Sequence, residues 1–198
     1  DETRLRLLLL LQSGQEPTLE GVERLLRSRQ EALAWVPSGQ SHFDLAKALL
    51  ALSESELRGA TPPEELRALG ERHLREGLAL SPANAQAWQL LATTALLRND
   101  PDEAAQALAL SYKANPHAPH LSDGRTAMGM LLWKHLDEAT RAPLRVEMRS
   151  AFRRNPGRLA RVALDTDSVE LLQDALAGHQ PDLDRLRKTL QQIRPVES

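Results

Sequence analysis

Apolar residues recur along this chain at spacings of three and four, the period of a helix with one buried face. Leu19, Val22, Leu25, Leu26, Leu33 and Val36, with Glu23, Arg24, Arg27 and Arg29 between them, predict an amphipathic helix over 19–35. A shorter helix is predicted over 2–12, set apart by Ser13-Gly14-Gln15-Glu16-Pro17, and Thr18 is a natural N-cap for the helix that follows. After Pro37-Ser38-Gly39 a third helix runs over 42–52 on Phe43, Leu45, Ala46, Leu49, Leu50 and Leu52, with room to extend to Leu57. Thr61 caps the next helix, Pro62 and Pro63 give it a rigid first turn, and Glu64 and Glu65 complement its dipole; it runs to Leu80.

Two helix pairs follow, over 84–97 with 102–114 and over 122–136 with 143–153. The first helix of the leading pair ends at Arg98-Asn99-Asp100-Pro101, the second at Asn115-Pro116, and the later pair at Asn155-Pro156-Gly157. Three shorter helices, over 159–164, 168–176 and 183–193, close the chain, with Asp167 or Ser168 and Asp182 as N-caps and Gly178 as a C-terminal stop. Composition agrees with an all-helical reading. Hydrophobic residues make up 41% and aromatics only 3%, so Leu, Ala and Val supply nearly all the apolar surface, whereas sheets draw on branched and aromatic side chains.

Three segments end alike, at Leu80-Ser81-Pro82, Ala114-Asn115-Pro116 and Arg154-Asn155-Pro156, with the prolines 34 and 40 residues apart. Within 85–118, Trp88, Leu91 and Ala92 form a W-x2-L-A element, Ala104 and Leu108 an A-x3-L element, Ser111 follows three places on, and Pro116 closes the unit. On these residues the segment resembles the tetratricopeptide (TPR) family, whose period is about 34 residues. Ala95 stands where the family usually has tyrosine. Neighbouring units keep the closing register more loosely, through Leu74, Gly77 and Pro82 on one side and Met148, Ala151 and Pro156 on the other. The resemblance implies a right-handed α-solenoid of TPR-like hairpins forming a single domain over 1–198. In it 1–40 is an N-terminal hairpin cap, 41–158 the repeats and 159–198 capping helices.

The resemblance also implies a non-catalytic scaffold that takes a protein or peptide in its concave groove. In that register Gln86, Gln89 and Thr93 of one unit and Thr126, Gly129 and Trp133 of the next line the inner surface, with Trp133 as an aromatic anchor. Burial of Trp133 beneath the C-terminal helices is the competing reading, while Trp88 takes the family's internal packing position. The residues that the family's chaperone-tail clamps present are not matched by Gln86, Gln89 and Thr93, so that activity is not implied.

Candidate chemistry changes little. Neither a phosphate-binding glycine loop nor a hydrolase or zinc-protease motif is present. Of His42, His73, His117, His120, His135 and His179, the pair His117 and His120 with Asp123 comes nearest to metal-ligand spacing, but it lies on a proline-bearing connector that fixes no ring geometry. No catalytic residue, metal or cofactor is expected; a metal- or small-ligand-binding helical protein using the histidines is the alternative. A net charge of −2 and a pI of 6.3 argue against a nucleic-acid partner. The absence of cysteine excludes disulfides and thiolate ligands and fits either cytoplasm or periplasm. The longest apolar run, 7–11, is far below the ~20 residues of a membrane span. Asp1 in place of Met suggests a removed leader or membrane anchor. Together with the arginine-rich cations of a GC-rich bacterial genome, that makes a periplasmic, membrane-anchored accessory protein the expectation, with cytoplasm as the alternative and oligomeric state open.

Overall fold

The computed structural model of the chain describes residues 19–35, 37–55 and 61–193. Among them are ten α-helices and one 3₁₀ turn, without a strand. The helices are α1 Leu19–Trp35, α2 Gly39–Ser53, α3 Pro63–Leu80, α4 Ala85–Leu97, α5 Pro101–Ala114, α6 Pro119–Leu131, α7 Glu138–Arg154, α8 Pro156–Asp165, α9 Val169–Leu176 and α10 Gln180–Ile193; the 3₁₀ turn is Trp133–His135. The expected helix over 2–12, the Thr18 cap and an extension to Leu57 lie outside the described residues.

Three of these helices stop in the same way because each is followed by a residue and then a proline. The ring of a proline drives the preceding residue out of the helical region. Ser81, Asn115 and Asn155 accordingly have φ of −142°, −155° and −147° with ψ of 74°, 98° and 84°. Each still donates its N–H to the carbonyl four residues back, on Gly77, Ser111 and Ala151, at 2.8, 3.2 and 2.9 Å. Counting back from Pro82, Pro116 and Pro156, the fourth, fifth, eighth and twelfth residues are buried every time. They are Leu78, Gly77, Leu74 and Gly70 in α3, Tyr112, Ser111, Leu108 and Ala104 in α5, and Phe152, Ala151, Met148 and Leu144 in α7.

Other ends follow from local chemistry. Asn99 (φ 60°) and Asp167 (φ 51°) occupy the left-handed region just past α4 and α8. In each case the next N–H reaches back five residues, Asp100 to the Ala95 carbonyl at 3.0 Å and Ser168 to that of Ala163 at 2.7 Å, which satisfies carbonyls the helix leaves open. Asp167 is therefore the terminator of α8, and the Ser168 side chain bonds the Met130 and Thr166 carbonyls instead of capping α9. Asp182 lies in the first turn of α10, which starts at Gln180, and Thr61 does not cap α3, whose N-cap is Pro62. The later pair departs from the sequence reading too. Asp137 accepts the Thr140 N–H at 2.9 Å and starts α7 five residues ahead of Pro143, which falls inside the helix.

The chain divides into two compact units, residues 1–94 and 95–198. In the first, Leu45, Leu49 and Leu52 of α2 and Leu66 of α3 form a core cluster against which Leu26 and Leu33 of α1 pack. Two glycines let α3 approach α2 closely. A Cβ on Gly70 would stand 2.9 Å from Leu50 Cγ, and one on Gly77 would stand 2.5 Å from Phe43 Cε1 and 3.0 Å from His42 Cβ. In the second unit Leu144, Met148 and Phe152 of α7 are fully buried, as are Leu172 and Leu176 of α9 and Leu186 of α10. Arg153 of α7 meets Asp182 of α10 at 2.8 Å.

Candidate functional site

The six residues expected on a concave face are distributed over both units. Gln86 and Gln89 are half-buried and Thr93 is exposed on α4, where the Thr93 hydroxyl donates to the Gln89 carbonyl at 3.1 Å. Gly129 is buried, and the Leu144 side chain fills the space a Cβ would need, with Cδ1 only 2.7 Å away. Its role is to let α6 and α7 meet, so it offers no surface to a partner. Thr126 is fully buried as well.

Trp133 stands on the 3₁₀ turn and not on α6, which stops at Leu131. It is half-buried, with the guanidinium groups of Arg141 and Arg145 at 5.1 and 5.0 Å from its ring, in cation–π range. Arg141 also donates two hydrogen bonds to the Trp133 carbonyl, at 3.1 and 2.9 Å, and so satisfies backbone that the tightened turn leaves open. Trp88 is half-buried, and its indole N–H ties α4 to the Pro82 carbonyl at 2.8 Å.

A small cleft of about 50 Å³ opens where α6, α7 and α8 meet. Ala127, Ala151, Leu159 and Val162 give it apolar walls, and Asp123, Arg154, Asn155 and Arg158 its polar lining. Asp123 holds both arginines, Arg154 at 2.9 Å through one oxygen and Arg158 at 2.8 Å through the other. Asn155 spends its side-chain oxygen on the Arg158 N–H at 3.0 Å, capping α8. Thr126 also lines the cleft, and its buried hydroxyl has no hydrogen-bond partner. Of the six expected residues, Thr126 alone borders this cleft.

Deeper in the second unit lies a polar network that sequence reading missed. Arg125 is fully buried and donates to the Ser111 carbonyl at 2.5 Å, the Ser111 hydroxyl at 2.9 and 3.1 Å, and the Asn115 carbonyl at 2.9 Å. Its guanidinium lies 4.6 Å from the Tyr112 ring centre and 3.8 Å from the Glu147 carboxylate, to which the Tyr112 hydroxyl donates at 2.7 Å. Burial raises the Tyr112 hydroxyl and the Glu147 carboxyl above their ordinary values and pulls Arg125 down, while the Arg125 and Glu147 charges oppose this in each other. Arg125 thereby ties down the C-terminal end of α5 and its cap residue Asn115 from within the core.

The pair His117 and His120 is exposed. His135 pairs with Asp102 at 2.7 Å and His179 with Asp182 at 2.9 Å. Among the described residues, two histidines converge on one carboxylate at His42, His73 and Glu76. No helix of the described residues is long and apolar enough to cross a membrane. Compared with known proteins, the chain matches no family model, no curated protein and no solved structure.

Proposed function

We propose that this chain is a helical-repeat scaffold of TPR-like hairpins, stacked as a right-handed solenoid, that acts by binding a protein or peptide partner and not by catalysis. The observation that carries this reading is the threefold recurrence, in α3, α5 and α7, of the same buried positions counted back from the same proline. A lone hairpin cannot bury such a face, and stacking neighbours does so while leaving a continuous surface for recognition. The motif residues around Trp88, Ala104 and Pro116 support the same conclusion. Within the second unit, the cleft bordered by Asp123, Thr126 and Arg158 is the proposed point of contact, since it combines apolar walls with charged groups that can exchange partners.

Photo-crosslinking tests this directly. With benzoyl-phenylalanine at position 158 of the full chain in cells, a discrete adduct is expected that is missing when the probe stands at exposed position 170 on α9. Equal adducts from both positions, or none from 158, would contradict the proposal.

A further inference from the structure

The first unit carries a constellation that the scaffold reading does not use. His42 comes from α2, and His73 and Glu76 from one turn of α3. The Nδ1 atoms of the two histidines are 3.1 Å apart, and each lies 3.2 Å from Glu76 Oε2. Three donor atoms thus form a nearly equilateral triangle. An ion with bonds of about 2.1 Å needs donors about 3.0 Å apart at right angles and about 3.4 Å apart in a tetrahedron, so this triangle falls between the two. Such an ion would sit about 1 Å above the plane of the donors.

The triangle is a product of packing. Gly77, next to Glu76, brings α3 against the His42 and Phe43 side chains, and Phe43 is buried. Both histidine side chains are about 12% exposed, which restricts their rings, while Glu76 at 45% keeps one side open to water. Without a metal, contact among these three atoms requires that at least one imidazole Nδ1 carry a proton and donate it, to the facing ring or to Glu76. A metal ion would take the place of the Nδ1 protons and bond both nitrogens and the carboxylate oxygen.

We propose that His42, His73 and Glu76 form a divalent transition-metal site of the zinc class, with water completing the coordination on the Glu76 side. Two imidazoles and one carboxylate suit Zn²⁺, Ni²⁺ or Cu²⁺, whereas Ca²⁺ and Mg²⁺ prefer all-oxygen shells. The bound ion would pin α2 to α3. This inference is independent of the partner cleft, which belongs to the other unit.

The test is calorimetric titration of the full chain with Zn²⁺ after chelator treatment, alongside the H42Q, H73Q and H117Q/H120Q variants. Wild type and H117Q/H120Q are expected to bind one equivalent and to melt several degrees higher with saturating metal. H42Q and H73Q should each lose at least tenfold in affinity while keeping the helical circular-dichroism spectrum. Should either variant fail to fold, imidazole ¹⁵N spectra of wild type decide. Concerted shifts of the His42 and His73 Nδ1 resonances at one equivalent support the site, and shifts confined to other histidines overturn it. Zn²⁺ affinity unchanged in folded H73Q, or lost in H117Q/H120Q, also overturns it.

Discussion

Replacing Arg125 with methionine probes the least expected part of the second unit. Methionine keeps much of the side-chain volume and removes the charge and every donor. Polar contacts to four groups disappear together: the Ser111 and Asn115 carbonyls, the Ser111 hydroxyl and the Glu147 carboxylate. Individual hydrogen bonds from a charged donor contribute about 1.5–3 kcal/mol, but they share one guanidinium and do not add. The governing cost is that a mostly buried carboxylate and two helix-terminal carbonyls are left without their cation, for which about 3–5 kcal/mol is expected. Urea unfolding followed by circular dichroism reads this as a shift in midpoint at constant m. Adding Glu147→Leu should restore part of the loss, because the stranded charge is then gone, and a coupling of about 0.5–3 kcal/mol between the two changes is expected. A loss below about 1 kcal/mol for R125M, or strict additivity in the double variant, would refute the reasoning.

Two further outcomes follow from packing and titration. Gly129→Ala forces a Cβ into the fully buried Leu144 side chain and should cost about 1–3 kcal/mol in urea unfolding, as overpacked cores do, with no cost expected if that face were open. Burial lifts the Glu147 carboxyl above its ordinary 4.5, so its contribution is full below that value and fades as pH rises through the folded-state value. The stability of wild type relative to Glu147→Gln should therefore shrink between pH 4 and pH 7; growth over that interval would be the contrary result.

The helices were legible because a period of 3.6 residues survives wherever one face is buried, and the three proline-closed ends were legible because proline acts on its neighbour locally. What escaped notice depends on contacts across sequence. Lys134 and His135 carry a helical pattern on to Leu136, and only the Arg141 bonds to the Trp133 carbonyl reveal the tightened turn. Pro143 looks like a first helical residue until the Asp137 cap is seen ahead of it. Arg125 carries no local signal of burial, since its partner Ser111 lies 14 residues away on another helix. His42 and His73 are separated by 31 residues, so no spacing rule pairs them; the nearby glycines Gly70 and Gly77, seven apart on one helix face, were the available signal of a close crossing. Thr126 was placed in the expected groove by repeat register and borders a cleft, whereas Gly129 in the same register was taken up by packing.

The stacking of hairpins is open to a direct covalent measurement because the chain contains no cysteine. Gly129 of α6 and Leu144 of α7 face each other within the second unit, where a Cβ on Gly129 would stand 2.7 Å from Leu144 Cδ1. If α6 and α7 pack as a hairpin of the proposed kind, cysteines at these two positions lie within disulfide reach, a Cα separation below about 7 Å. The account predicts rapid, reversible formation of an intramolecular disulfide in G129C/L144C, with the helical spectrum retained and the unfolding midpoint higher than in the reduced form. Free thiols persisting under oxidising conditions in the folded protein would contradict it.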